Sequence, residues 1–364
     1  MIKVLAGETH YLGTDGLVRL SAVDWYRLHN PLEQVAKNNK DIKVDFIQRI
    51  VPKDGNEDLE WAKIGKKYDI LYTSYIDTPK AYSYIKAICH KYGIKHITDF
   101  DDNLFEVDEM NPVYLRYYPG SEDLKNATIM TRDSQYASVS TPHLKNVIDG
   151  VRGKKDSVLL PNYANFEAFK YDPSKVPDNG EELVIMYQGS STHYSDLFQT
   201  GVLDALRRLM NEYSKLKFFI IGMGTEDLYK YLPKDRVILK GGERDHRNWR
   251  KVWQSLPGDI GIAPLTNTSF NLAKSSIKYY EYAMRKIPAV YSFVNSYTQV
   301  VLENKTGYLA QNTLDWYHKL KRLIDSKKLR IKMGEASFKD VKKKYTIQKN
   351  YKPVEEFIRK VYAV

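Results

Sequence analysis

Twelve short apolar runs, separated by stretches long enough for a helix, constrain this 364-residue chain more than any single motif. In the first half they stand at Ile2 to Leu5, Val44 to Ile47, Ile70 to Tyr72, His96 to Thr98, Ala137 to Val139 and Val158 to Leu160. In the second half they recur at Leu183 to Tyr187, Lys217 to Ile221, Val237 to Lys240, Asp259 to Ala263, Ala289 to Ser292 and Gly307 to Ala310. Strand alternating with helix implies an α/β fold of parallel sheets covered by helices, and two such sets imply two Rossmann-like domains. The length agrees, because single cores stop growing at roughly 250–300 residues. Between the sets, Asn162 to Glu182 is polar and broken by Pro173, Pro177 and Gly180, which is a linker composition. The predicted division is a first domain over 1–165, a linker over 166–182, a second domain over 183–347 and a helical segment over 348–364.

Composition narrows the class. No stretch approaches the roughly 20 apolar residues of a membrane span. The chain starts directly in a strand, without the pattern of a signal peptide, so a cytoplasmic protein is expected. The one cysteine, Cys89, agrees with a reducing compartment and reads as a core residue. Net charge is +11, and from Asp315 to Val364 there are fifteen Lys or Arg against six Asp or Glu. Basic helices at that end suit attraction to an anionic membrane surface, an acidic polymer or nucleic acid. Lysine-rich, solvated helix faces explain the same numbers.

The stretch Asp259 to Ser292 carries the most chemistry. The run Ile260 to Ala263 is halted by Pro264, as suits a buried strand, and a helix is predicted from Asn271, read as its cap. Lys274, Lys278 and Glu281 then fall on one face and Ile277, Tyr280 and Met284 on another. A helix N-terminus favours phosphate, Lys274 in the first turn adds a full charge, and Glu281 is placed to accept from ribose hydroxyls. Spacing alone fits ordinary i, i+4 pairing equally well.

The segment resembles the donor signature of retaining GT-B glycosyltransferases of the family-4 (glycosyl transferases group 1) type. That signature has two glutamates eight positions apart, then an ending of the form "giPvV". Glu281 matches the second glutamate and Ile287-Pro288-Ala289-Val290 the ending, whereas Ala273 stands where the first glutamate would be. Ser140-Thr141-Pro142-His143-Leu144 resembles the family's "sTphl" turn, in which Thr141 and Pro142 also make an ordinary helix start. Leu160-Pro161-Asn162-Tyr163 resembles the "lpNg" that closes the first domain, with Asn162 expected at the hinge. Tyr187 to Leu197 resembles a "GsptH..Dl" donor loop, but Ser190 and Asp196 replace the arginine and lysine that commonly hold the diphosphate. A diphosphate demands compensating charge in a partly dry cleft, so Lys274 and Lys278 are expected to supply it from the opposite side. Gly189, Ser190, Ser191, His193 and Ser275 complete the donor-binding set.

In the first domain the glycines Gly7, Gly13 and Gly16, followed by Arg19, form a loop that the resemblance places over acceptor or phosphate. Arg27 is equally placed to reach a phosphate. In Thr98-Asp99-Phe100-Asp101-Asp102-Asn103, three carboxylates repel one another unless solvated, paired or bound to a cation. The family often has a histidine there, and this loop resembles a "DxDD" subset. Asp101 or Asp99 is expected to accept the acceptor's proton or steady an oxocarbenium charge, with Asp102 alongside. A divalent-metal site and a plain acidic turn are the rival readings, and the family implies no essential metal. Ile221 to Gly224 reads as a strand-end turn, and the resemblance places the nucleobase near the later turn Gly241 to His246. The resemblance implies a UDP-sugar donor, with GDP as the alternative, and no further cofactor. It also implies retention, a glycan, lipid-linked or protein acceptor in cell-surface synthesis, and a last helix crossing back to the first domain. The alternatives are a phage-type DNA glycosyltransferase acting on hydroxymethylated bases and an inactive sugar-nucleotide-binding module.

Overall fold

A computed structural model of the chain describes residues 1–7, 11–12, 18–47, 65, 67–223 and 225–364. Gly13 and Gly16 of the predicted phosphate loop, and Gly224, lie outside the described residues.

All twelve apolar runs are strands, arranged in two all-parallel sheets of six. The first sheet holds β1 (Ile2–Gly7), β4 (Ile42–Ile47), β5 (Ile70–Ser74), β6 (Lys95–Phe100), β7 (Tyr136–Val139) and β8 (Val158–Leu159), in the order β4-β1-β5-β6-β7-β8. A two-residue antiparallel pair, β2 (Tyr11–Leu12) and β3 (Val18–Arg19), follows β1 and pairs Tyr11 with Arg19. The second sheet holds β9 (Leu183–Gln188), β10 (Leu216–Gly222), β11 (Val237–Gly241), β12 (Ile260–Ala263), β13 (Ala289–Ser292) and β14 (Tyr308–Ala310), in the order β11-β10-β9-β12-β13-β14. The central strands, such as β1, β5, β9 and β12, are buried on both faces, which is why they read as continuous apolar runs. Each order reverses once, between β1 and β5 and between β9 and β12. Ligands of such sheets bind beyond the strand carboxyl ends at these reversals.

The chain crosses between the domains twice, side by side. Ala164 on the way out is bridged to Thr346 on the way back, with Ala164 N donating to Tyr345 O at 2.8 Å and Ile347 N to Ala164 O at 2.9 Å. The last helix, Lys352–Ala363, then buries Val354, Phe357, Ile358 and Val361 in the first-domain core with Ile2, Val4, Leu28 and Leu32. Cys89 is buried in a neighbouring cluster, and that burial pushes its thiol up to about 12. Among the described residues no helix is long and apolar enough to cross a membrane.

The "giPvV" ending has a local cause. Helix Ile277–Met284 is closed by Ile287 N donating to Tyr282 O, with Lys286 at φ 57° in the left-handed region. The carbonyl of Lys286 then abuts Gly334, where an added Cβ would lie 1.9 Å from that oxygen. Gly334→Ala should therefore lower stability by about 1–3 kcal/mol through overpacking. Urea unfolding monitored by circular dichroism checks this, and an unchanged midpoint would contradict the contact.

Candidate donor site at the domain interface

At the reversal between β9 and β12, polar side chains converge on the start of helix Ile277–Met284. The sequence places that start at Asn271, and the structure corrects it. A short helix, Ser269–Leu272, is capped by the Thr268 hydroxyl accepting from Asn271 N, and a turn over 273–276 precedes the longer helix. Asn271 is drawn away by tertiary bonds: its Nδ2 donates to Asp196 Oδ1 at 2.6 Å and to Thr266 O at 3.1 Å. Lys274 and Ser275 therefore sit on the turn, while Lys278 and Glu281 share a helical face. The helix is pressed onto β12 where Tyr282 packs against Gly261 and donates from its hydroxyl to Ile262 O at 2.8 Å.

Glu281 is enclosed by groups of both domains. It is 4% exposed, with Gln188 Nε2 donating to Oε2 and Tyr26 Oη donating to Oε1 at 3.2 Å. Burial raises its pKa, opposed by Gln188, Lys278, Tyr26 and a bond from Trp249. Gln188 ends β9, so the strand itself aims this donor. Tyr26 comes from the other domain.

Beside Glu281 a second chain of polar groups runs Asp196, His193, Lys278. Asp196 is fully buried, accepts from Thr266 N at 2.9 Å and Thr266 Oγ1 at 2.8 Å, and lies 2.8 Å from His193 Nδ1. Lys278 Nζ stands 3.4 Å from His193 Nε2. Burial lowers Lys278 to about 8, helped by Lys274 and opposed by Glu281 and Asp196. Burial and the Lys278 charge lower His193 to about 4. Asp196, at the position of the family's lysine, thus supports a histidine and a lysine that face the same space. Gly189 follows Gln188 and lies against Gly222, whose added Cβ would fall 2.6 Å from Gly189 O. Ser190 is exposed, its hydroxyl 2.7 Å from Thr192 Oγ1, and Ser191 opens a short 3-10 turn.

The first domain closes the site from above. Ser21 caps the turn that leads into a π-helical stretch, Trp25–His29, of the kind often found at functional sites. Arg27 is buried and donates from Nε and Nη2 to the two oxygens of Asp99 at 2.7 and 2.8 Å. Its Nη1 reaches Leu160 O at 2.6 Å and Asn162 Oδ1 at 2.9 Å. Ser138 Oγ also donates to Asp99, at 2.5 Å. Two expectations are corrected here: Asp99, 2% exposed with both oxygens taken, braces the fold rather than facing substrate, and Arg27 is committed to it instead of to a phosphate. The three carboxylates escape mutual repulsion by separate means. Asp99 pairs with Arg27, Asp102 accepts from Lys274 Nζ at 2.6 Å, and Asp101 accepts from Asn162 Nδ2 at 3.3 Å. Burial raises the Asp101 pKa, with Arg27 opposing and Asp102 and Asp99 adding to it. Among the described residues no group of three His, Cys, Asp or Glu is placed to hold a metal ion.

Several bonds tie the domains together at the turn before the helix. Asn162 Nδ2 donates to Ser275 Oγ at 2.9 Å, and Thr141, besides capping its own helix, donates to Ala273 O at 2.9 Å. His143 Nε2 lies 3.2 Å from Ser269 Oγ. Ala273, at the position of the family's first glutamate, is wholly buried with Phe100, Val139, Leu144 and Ile148 of the first domain. A carboxylate there would be desolvated without a partner, which gives a physical reason for alanine. Arg19 lies in β3, in register with Tyr11. Tyr26 and Trp249 carry no motif, Gln188 only precedes the glycine of the donor-loop pattern, and all three become visible through their bonds to Glu281.

No family model matches the sequence, and no curated protein matches it. Solved structures do. Sucrose-phosphate synthase from Thermosynechococcus elongatus matches with a TM-score of 0.64 at 12% identity, over 99% of this chain and 99% of its own. HepE from Anabaena, in complex with UDP and glucose, matches at 0.67 and 12% identity, over 99% of this chain and all of its own. A Listeria monocytogenes protein provisionally named UDP-N-acetylglucosamine 2-epimerase matches at 0.55 and 11% identity, over 98% and 96%. The fold is therefore the GT-B arrangement, two Rossmann-like domains facing across a cleft. At such identities the likeness speaks for architecture, and the chemistry rests on the site.

Arg27→Ala should cost about 3–5 kcal/mol, because it strands a buried carboxylate. The double variant Arg27→Ala with Asp99→Ala should recover part of that loss. Denaturant titration of the unaltered protein, of Arg27→Ala and Asp99→Ala, and of the double variant tests it, and additive losses would show that the pair is uncoupled.

Proposed function

We propose that this protein is a glycosyltransferase that moves a sugar from a nucleoside-diphosphate sugar, with UDP as the nucleotide, to an acceptor hydroxyl. The observation that carries the reading is the convergence of Lys278, His193 and Glu281 at the β9–β12 reversal, opposite a first-domain loop ending in Asp101 and Asp102. A diphosphate needs compensating charge in a partly dry cleft, and a ribose needs an acceptor for its hydroxyls. Lys278 and Lys274, with backbone N–H groups at Gly189 to Ser191, suit the first. Glu281 suits the second. The UDP carried by HepE supports the choice of nucleotide, and the family signature around Glu281 supports retention and a role in making cell-surface polysaccharide, glycolipid or glycoprotein.

In this reading the diphosphate takes Lys274 from Asp102, and domain closure brings the Asp101 loop over the sugar. The bond from the anomeric carbon to the phosphate oxygen breaks, and UDP leaves with the electron pair. The anomeric carbon bonds to the acceptor oxygen, whose proton passes to Asp101 or to the departing phosphate. Burial makes Asp101 a stronger base than a solvated aspartate.

Lys278→Met should weaken UDP binding at neutral pH about tenfold or more, read by isothermal titration calorimetry. In the unaltered protein the free ammonium is charged below about pH 8 and is lost as pH rises through that value, so UDP affinity should fall above it. Lys278→Met should lack that fall. An unaltered pH profile in the variant would remove Lys278 from the phosphate site. Asp101→Asn should reduce turnover by about 10²–10⁴-fold while leaving UDP affinity intact. Proton NMR of reactions with several UDP-sugars reads turnover, separates transfer from hydrolysis and from epimerisation of the donor, and gives the anomeric configuration of the product. Epimerised donor without transfer would overturn the proposal.

A further inference from the structure

We propose that Tyr26 is a positioning residue for the donor-site carboxylate: its hydroxyl, delivered by the first domain, holds Glu281 in the orientation that receives the donor's ribose. This rests on the reading that Glu281 faces the ribose. A carboxylate offers about four lone-pair sites. Gln188 of β9 and Trp249 of the helix His246–Gln254 supply two donors from the same domain as Glu281, and Tyr26 supplies the third from across the cleft. One acceptor site is left for a ligand hydroxyl, and its direction is set by the other three. Glu281 thus has its full set of donors only while the domains are together.

Tyr26 reaches this place for a structural reason. In the π-helical stretch Trp25–His29, Arg27 turns back to Asp99 of its own domain while Tyr26 turns outward to Glu281. The Tyr26 ring lies edge-on to His246 at 5.5 Å, and Trp25 beside it is covered by the Arg250 guanidinium at 4.0 Å. Packing on these sides fixes the hydroxyl independently of Glu281. Burial, then the Glu281 charge, raises the phenol well above its ordinary pKa, so it remains a donor at every working pH. The other charged and titratable groups near the pair are Lys278, Tyr280 and Tyr282 on the Glu281 helix, Arg250 and His246 on the opposing helix, the histidine lowered to about 3 by burial, and Tyr297 beyond β13.

The Tyr26 bond favours the ionised form of Glu281, so its loss should raise the Glu281 pKa. Ribose binding needs the carboxylate, present above that pKa and lost as pH falls through it. The acid limb of UDP binding in Tyr26→Phe should therefore lie at higher pH than in the unaltered protein. Calorimetric titration with UDP from about pH 5 to pH 8, on the full chain, on Tyr26→Phe and on Glu281→Gln, tests this. Tyr26→Phe should bind UDP about tenfold more weakly at neutral pH, the equivalent of one hydrogen bond to a charged group, with the acid limb moved upward. A side chain with only a packing role would lower the melting temperature and leave that limb in place. Glu281→Gln should bind weakly with no acid limb from this group. If Glu281→Gln weakens UDP but Tyr26→Phe leaves affinity and limb unchanged, or binds UDP more tightly, the role of Tyr26 is overturned and the donor site stands. If Glu281→Gln binds UDP normally, the donor site itself falls. Should Tyr26→Phe not fold, Tyr26→Met keeps the volume without a donor and gives the same readout.

Discussion

A guanidinium and a carboxylate, both buried, hold the frame on which the site is built. Arg27 joins the stretch after the first strands to the end of β6 through Asp99, and to the hinge through Leu160 O and Asn162. A buried pair contributes little net stability against an apolar substitute, but it dictates geometry, since either charge alone would be costly. Everything near the cleft inherits that geometry. Tyr26 is aimed because Arg27 is held, Asp101 is left to Asn162 because Asp99 is taken, and Asn162 is oriented by Arg27 on one side so that its amide reaches Ser275 on the other.

Asp196 makes the same point in the second domain. Where the donor signature that the sequence resembles has a cation, this chain has an anion, and taken alone the change argues against diphosphate binding. Within the fold the carboxylate is neutralised by three donors from Thr266 and Asn271 and by His193. The charge facing the cleft is then set by Lys278 and Lys274. Lys278 on the neighbouring helix stands beside this group, 3.4 Å from the histidine that Asp196 holds.

The architecture was legible in the sequence because central strands buried on both faces leave apolar runs with no alternation to confuse them, and all twelve appear in place. Lys278 and Glu281 were legible as well, since helical spacing puts them on one face. Other features depended on contacts between distant segments. Asn271 has the composition of a helix cap but spends its amide on Asp196, so the helix starts later than its local pattern suggests. Asp99 and Asp101 stand two residues apart with the same side chain, and only the partner brought by Arg27 separates a brace from a candidate base. Tyr26 belongs to no pattern, and Gln188 only precedes the glycine of one. Their importance lies in meeting one carboxylate from two domains.

The paired crossings at Ala164 and Thr346 have a mechanical consequence. Two chain segments hydrogen-bonded side by side would resist sliding or twisting of one domain over the other more than rotation about their own line. Displacement on opening then grows with distance from that line. Asn162, two residues from it in sequence, stays near the axis and travels little, whereas contacts farther out swing through longer arcs. The order in which bonds across the cleft are released is therefore written into their distance from the hinge: outer clasps part first, and those beside Asn162 part last.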